Sequence, residues 1–240
     1  MSLTRIFQKA VLSAATIMVL GLIASAARAD QVFLVNTNIS GTGQVSAQAT
    51  FTQSGGNLLQ ISLQNLQSTS NVGQAISGIQ FQIYDANGNV SNVSGSITAQ
   101  SNSLIQVGSG GVTSLGTTAT GWGLSSSGPQ FTLTALGFTG NGTNPPDELI
   151  LGSLAGANGS IVGNGPHNPF IDQTGVFSLT LSSNLPAGYQ IRNVVLLFGT
   201  GPNAVSASSV PEPATMLLLG TGLVGIASRL GKRRAGTARE

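Results

Sequence analysis

The sequence predicts an all-β protein in which an antiparallel β-sandwich lies between two terminal hydrophobic helices. Between residues 30 and 208, apolar residues often fall at every second position, which is typical of strands with one buried and one hydrated face. No part of this region keeps the amphipathic helical period of about 3.6 residues. Short polar stretches containing glycine separate the apolar rows, as turns do. Seven to ten short strands, roughly counted, favour a sandwich, with a jelly-roll arrangement as one option.

Composition and charge exclude several classes of protein. The 240 residues include no Cys and only 7% charged residues, which excludes a disulfide scaffold, a coiled coil and charge-rich disorder. Eight of the nine basic residues lie before residue 30 or after residue 228. Residues 30–210 contain one basic residue, Arg192, and five acidic residues, which gives a net charge of −4. The acidic residues are Asp30, Asp85, Asp147, Glu148 and Asp172. Because nucleic-acid binding needs clustered cations, a nucleic-acid partner is not expected.

The first element is a signal peptide, predicted over residues 1–29. Arg5 and Lys9 precede an apolar stretch at 10–27, and Ala27 and Ala29 place small residues at the −3 and −1 positions of a cleavage site. We expect cleavage after Ala29, with Ala26 as the alternative. An uncleaved anchor is the competing interpretation, because the stretch is long enough to span a membrane if retained.

The body, residues 30–208, supplies the strands. The alternating rows are 45–51, 59–63, 79–83, 131–135 and 177–181, and the run 191–198 is apolar enough for a central strand. Residues 54–57 predict a hairpin turn between the first two rows, and Asp85 to Asn89 predict another turn. The Gly/Ser/Asn-rich segments 108–128 and 137–169 are expected to be long loops. Low-complexity disorder is the alternative, but the alternating rows provide enough apolar residues for a core.

A proline-rich neck follows the body. Val210, Pro211, Glu212 and Pro213 come directly before an apolar run at 214–230. Each proline fixes its own φ and restricts the residue before it to extended geometry. The prediction is a stiff, exposed segment that does not join the sheet and that a membrane-embedded protease can engage.

The last element is a predicted transmembrane helix. A helix of about 15 to 17 residues measures roughly 23 to 26 Å, slightly short of a hydrocarbon core of about 30 Å. Arg229 at the edge can snorkel to the interface. Lys232, Arg233 and Arg234 then stay in the cytoplasm, which places the body outside.

This order of neck, apolar helix and basic cluster resembles the PEP-CTERM sorting domain of exported Gram-negative bacterial proteins, here over residues 209–240. The resemblance implies that an exosortase-type membrane protease recognises Pro211, Glu212 and Pro213, and cleavage is expected near this tripeptide. It implies that a set of basic residues forms the cytoplasmic stop: Arg229, Lys232, Arg233 and Arg234. It also implies association with exopolysaccharide or a biofilm matrix, but it does not specify what the body does.

Several motifs that could carry chemistry are weak. His167, the only histidine, stands near Asp172, but no Gly-x-Ser-x-Gly elbow accompanies them, and zinc normally needs three or four ligands. The glycines of 220–225 match a dinucleotide fingerprint, but too little chain follows for a βαβ unit. Residues 85–96 imitate a calcium loop, yet Val90 and Ser96 replace its glycine and glutamate. No catalytic residue, metal or cofactor is therefore predicted.

Aromatic and acidic residues leave two alternatives for the body. Trp122, in a Gly-Trp-Gly context, is the first candidate for a sugar contact, ahead of Tyr84 and Tyr189. A polysaccharide hydrolase would need paired carboxylates. Asp147 and Glu148 are the only adjacent acids, but neighbours on a strand point to opposite faces, so these two carboxylates would not face each other.

The resulting hypothesis is an exported protein without enzymatic activity. It is anchored transiently in the membrane by its C-terminal helix, and then resides at the cell surface or in the extracellular matrix as a structural or interaction component. The alternatives are a carbohydrate-binding module that uses Trp122 and, more weakly, a polysaccharide hydrolase.

Overall fold

The computed structural model describes residues 30–136, 148–154, 156, 159–162, 168–201, 203–211 and 221–222. The prediction of an all-β protein is confirmed, because fourteen strands and one short 3-10 helix, Val72–Gln74, account for the regular structure described between residues 30 and 211. The strands are β1 (Gln31–Ile39), β2 (Gly43–Gln53), β3 (Leu58–Asn65), β4 (Ile76–Tyr84), β5 (Gly95–Gly108), β6 (Gly111–Ala119), β7 (Gly123–Ser127), β8 (Gln130–Thr134), β9 (Ile150–Leu151), β10 (Phe170–Asp172), β11 (Thr174–Leu181), β12 (Gln190–Phe198), β13 (Asn203–Ser206) and β14 (Ser208–Val210).

The strands form one continuous sheet rather than the two separate sheets expected of a sandwich. Its order is β13-β12-β4-β9-β10-β5-β11-β3-β2-β1-β14, with β6 paired to β5, β8 to β4 and β7 to β8. The long strand β5 joins the two halves, since its first part pairs with β11 and its second part with β10. The pairing of β9 with β10 is parallel, so the sheet is mixed and not purely antiparallel as predicted.

The buried faces of the two halves meet in the larger of two hydrophobic clusters. Phe51 on β2 and Phe81 on β4 belong to different halves, yet their ring centroids lie 5.0 Å apart. Phe33 extends this row on one side and Phe131 on the other, with ring centroids 5.7 and 5.1 Å from their neighbours. Edge-to-face and stacked aromatic contacts of this kind add to the free energy gained by burying the rings. The row therefore holds the two halves of the sheet together.

A second connection between the halves lies at the opposite side from β5. Strand β13 pairs with β12, whereas β14 pairs with β1, and only Ala207 separates them in the chain. The Ala207 backbone N–H donates to the Val194 carbonyl at 2.9 Å. The chain thus crosses from one half to the other at Ala207, and we call this crossing the seam.

The predicted hairpin and turn are confirmed. Strands β2 and β3 pair in register with Phe51 opposite Ile61, and the Ser54 N–H donates to the Leu58 carbonyl across the turn. At Asp85 the carboxylate accepts the backbone N–H groups of Asn87 and Asn89 at 2.9 and 2.8 Å. The second turn forms because the short Asp85 side chain accepts backbone N–H groups that have no strand partner there.

The expectation of a long loop at 108–128 is wrong. Strands β6 and β7 occupy most of it, and β6 pairs with β5 along its whole length. All nine residues of β6 are exposed, so the strand needs no alternating apolar row and gives no strand signal in the sequence. Backbone hydrogen bonds to β5 maintain it instead.

Candidate functional site

The segment before the prolines is part of the sheet. Strand β14 pairs antiparallel with β1, with Val210 opposite Val32 and Ser208 opposite Leu34. The prediction that this neck stays outside the sheet is therefore wrong for Val210. The physical reason is that a following proline pushes Val210 toward extended geometry, which is also strand geometry, and Val210 keeps its own N–H. The exposed Pro211, which has no N–H, follows directly after the strand.

Antiparallel pairing of β1 with β14 brings the two ends of the body together. The described chain starts at Asp30 beside the position where Pro211 leaves the sheet. We call this end of the body the terminal pole. The cleavage site predicted at Ala27 and Ala29 lies directly upstream of it in the chain, and Glu212 and Pro213 lie directly downstream; these four residues are outside the described residues.

The two terminal helices of the prediction also fall largely outside the described residues. Within the part that the structure describes, no helix is long and apolar enough to cross a membrane. Of the run 214–230, only Thr221 and Gly222 are described, and both are helical. The transmembrane helix and the signal helix stay predictions. The cytoplasmic stop also stays a prediction, because its residues lie outside the described part of the chain: Arg229, Lys232, Arg233 and Arg234.

A cleft of about 610 Å³ lies along the seam, between β1 and β14 on one side and β12 and β13 on the other. Its buried apolar floor comes from Phe33, Ile191 and Val194. Gln31 connects the two walls, because its side-chain oxygen accepts the Ile191 N–H at 2.7 Å and its amide donates to the Tyr189 carbonyl at 3.4 Å. The rim is polar and exposed; it includes Asp30, Gln190, Arg192, Asn193, Ser206 and Ser209.

Arg192 is held in one position on this rim. Its guanidinium carbon lies 4.9 Å from the centroid of the Tyr84 ring, in a cation–π contact. Its Nε and Nη2 groups both donate to the side-chain oxygen of Gln190, the first at 3.0 Å. Arg192 is also the only Lys or Arg between residues 30 and 228. The single cation of the body is thus fixed at the seam cleft.

Asn193 lies beside Arg192 in an unusual backbone conformation. Its φ is +52°, and the pairing of β12 with β4 shifts between Arg192 and Val195, which marks a β-bulge. The side-chain amide of Asn193 donates to the Gln82 side-chain oxygen at 2.6 Å and to Tyr84 Oη at 3.2 Å. A positive φ costs free energy in a residue other than glycine, and residues held this way cluster at functional sites.

Sequence reasoning missed this cluster. One signal was available, because Arg192 is isolated among neutral residues and follows Gln190 at the spacing that places both side chains on one face of a strand. Nothing in the sequence indicated that β1 and β14 would form the opposite wall.

The prediction of a sugar contact at Trp122 is wrong. Trp122 is fully buried, and its ring centroid lies 4.6 Å from that of Phe177. Its indole N–H donates to the Glu148 carbonyl at 2.9 Å. A large ring whose one polar group finds a partner inside the protein gains more from burial than from exposure. Tyr189 is also buried, while Tyr84 is half-buried beneath Arg192.

The acidic pair and the histidine provide no catalytic constellation among the described residues. Asp147 and His167 lie outside them. The Glu148 carboxylate accepts the Gly121 N–H, so this side chain anchors the segment that carries Trp122. No group of three or more His, Cys, Asp or Glu side chains that could hold a metal ion occurs in the described part of the chain.

The surroundings of Asp85 favour the ionised form of its carboxyl group. The Asn89 side-chain amide donates to its carboxylate at 3.0 Å. This bond, together with the backbone N–H groups of Asn89 and Asn87, lowers the pKa of Asp85 below its ordinary value of 3.8. The charged carboxylate therefore stabilises the turn.

Comparison with known families identifies the C-terminal segment. Residues 209–234 match the family described as the PEP-CTERM protein-sorting motif. No curated protein and no solved structure matches the chain. The motif indicates an exported protein that is anchored transiently in the membrane and processed by an exosortase.

Proposed function

Because residues 209–234 carry a PEP-CTERM protein-sorting motif, we propose that the body of this exported protein is a structural or interaction component of the extracellular matrix, without a catalytic role. The observation that carries this proposal is the pairing of β14 with β1. It makes the sorting neck continuous with a closed, folded body. Cleavage near Pro211 would therefore release an intact domain.

The terminal pole supports an orientation for the body before processing. Both predicted hydrophobic segments leave the body at this pole, so the pole faces the membrane. Strand β1 extends from it for nine residues, or roughly 27 Å, to the turn at residues 40–42. The turns at the far end then face away from the cell, where partners in the matrix can reach them.

The exposed groups of the body also suit a matrix of polysaccharide. The outer positions of β2 and β3 carry mostly Ser, Thr and Gln instead of ions, and β6 carries Ser and Thr beside the exposed Val112 and Leu115. Neutral amides and hydroxyls form the same kind of hydrogen bonds as sugar hydroxyls. Because few charges are involved, association through these groups should depend weakly on salt concentration.

Replacement of Glu212 by Ala in the producing cells tests the sorting part of this proposal. We expect a larger, membrane-bound form to accumulate, because the carboxylate of the recognition tripeptide is lost. The matched control is Glu240→Ala, which removes the same side chain beyond the basic cluster and should leave processing unchanged. Immunoblots of the membrane and medium fractions measure the two forms. Normal processing of the Glu212→Ala chain would contradict the assignment of the tripeptide.

A carbohydrate-binding module is the second candidate for the body. The seam cleft favours it, since the cleft combines an apolar floor with a rim of amide, hydroxyl and charged groups. Trp122 does not support this candidate, because its ring is fully buried. A hydrolase is less favoured, because Glu148 has a structural role: it anchors the Gly121 backbone next to the buried Trp122.

A further inference from the structure

The seam cleft has the composition of a binding site for a small polar molecule. Phe33, Ile191 and Val194 provide a buried apolar floor, while the groups at the rim are polar and exposed. Ligand sites in proteins typically combine an apolar lining with a few polar groups that fix the orientation of the ligand. A volume of about 610 Å³ is within the usual range for such sites and accommodates a few sugar rings.

The charged groups of the rim indicate a ligand without net charge. Asp30 lies on the β1 side of the cleft and Arg192 on the β12 side, so one carboxylate and one guanidinium are present. The carboxylate already accepts the Thr52 hydroxyl at 2.7 Å, and its two oxygens have room for further donors. The other rim groups are the amides of Gln190 and Asn193 and the hydroxyls of Ser206 and Ser209.

The Arg192 donor is preorganised. Stacking on Tyr84 and the two bonds to Gln190 hold the Arg192 guanidinium in place before any ligand arrives. The bulge gives Asn193 its positive φ and fixes its amide against Gln82 and Tyr84. A ligand that uses groups already fixed in this way loses less conformational entropy on binding.

We propose that the seam cleft binds a neutral, hydroxyl-rich saccharide, with Arg192 as a hydrogen-bond donor and Asp30 as an acceptor. This proposal rests on the proposed export of the body to the matrix, but it does not depend on exosortase processing. It also places the ligand beside β14, one wall of the cleft, so the saccharide is held next to the sorting neck.

The test is isothermal titration calorimetry of the full chain, extracted in a mild detergent, with neutral hexasaccharides of glucose, mannose and galactose. Galacturonic acid hexasaccharide is the carboxylated comparison. We expect at least one neutral probe to bind with a submillimolar dissociation constant, and the carboxylated probe to bind more weakly. No neutral probe binding at millimolar concentration, or binding of the carboxylated probe alone, would overturn the proposal.

Two variants locate the site. Arg192→Gln removes hydrogen bonds from a charged donor, which should weaken binding by about ten- to a hundredfold. Its matched control is Arg239→Gln in the C-terminal tail, which should bind like the parent chain. Asn193→Gly removes the amide that holds Tyr84 beneath Arg192 but accepts a positive φ freely, so it should weaken binding without loss of the fold. Circular dichroism checks the fold of each variant.

Unchanged affinity in both site variants would refute this location. Because the calorimetry uses the unprocessed chain, a failure of the sorting experiment with Glu212→Ala leaves this result intact. A failure to bind saccharide likewise leaves the sorting assignment intact.

Discussion

Truncation of Trp122 is expected to destabilise the whole body, and not merely to remove a surface contact. The side chain is fully buried against Phe177. A buried aromatic side chain removes about 150 to 250 Å² from water, which at about 25 cal/mol per Å² corresponds to roughly 4 to 6 kcal/mol. Measured Trp→Ala substitutions in cores cost about 3 to 5 kcal/mol. We therefore expect Trp122→Ala to lower the free energy of unfolding by about 3 to 5 kcal/mol.

A second substitution separates the ring from its polar group. Trp122→Phe keeps an aromatic ring beside Phe177 but leaves the Glu148 carbonyl without the indole donor. A lost buried hydrogen bond costs about 1 to 3 kcal/mol, so this variant should be affected less than Trp122→Ala. Both substitutions should leave exosortase processing of the chains that reach the folded state unchanged.

The assay is urea denaturation of the purified full chain, followed by far-ultraviolet circular dichroism. Tryptophan fluorescence cannot follow the variants, since Trp122 is the only tryptophan. Leu115→Ala on the exposed strand β6 is the control and should change the free energy of unfolding by no more than about 0.5 kcal/mol. A Trp122→Ala chain as stable as the Leu115→Ala chain would refute the reasoning and restore an exposed position for the ring.

Two further predictions concern local structure. Gly152→Ala should lower the free energy of unfolding by about 3 kcal/mol or more in urea denaturation, because the new Cβ would lie 1.8 Å from the Gln67 carbonyl oxygen; Gly108→Ala, with open space around it, should be nearly neutral. Asp85→Asn should remove a pH-dependent stabilisation. Since the folded pKa of Asp85 is lowered, that stabilisation is present above 3.8 and is lost as the pH falls through the folded pKa. Equal pH dependence of unfolding in the parent and Asp85→Asn chains would contradict it.

Local patterns predicted much of the fold but not all of the site. The alternating rows of β2 and β3 are visible in the sequence because each strand buries every second residue. Strand β6 is not visible, since its nine residues are exposed and obtain their stability from pairing with β5. Trp122 was predicted to be exposed because of its glycine neighbours, while the partners that bury it, Phe177 and Glu148, are distant in the chain.

The sequence by itself determined that this chain carries a sorting signal, because such a signal is a short contiguous segment with prolines, an apolar run and basic residues. It also determined the all-β class, because strand periodicity is local. Only the tertiary structure decided that β14 pairs with β1 and that the seam cleft exists. Asp30, Arg192 and Ser209 meet there from distant parts of the chain, and such meetings depend on strand order and register, which neighbouring residues do not encode.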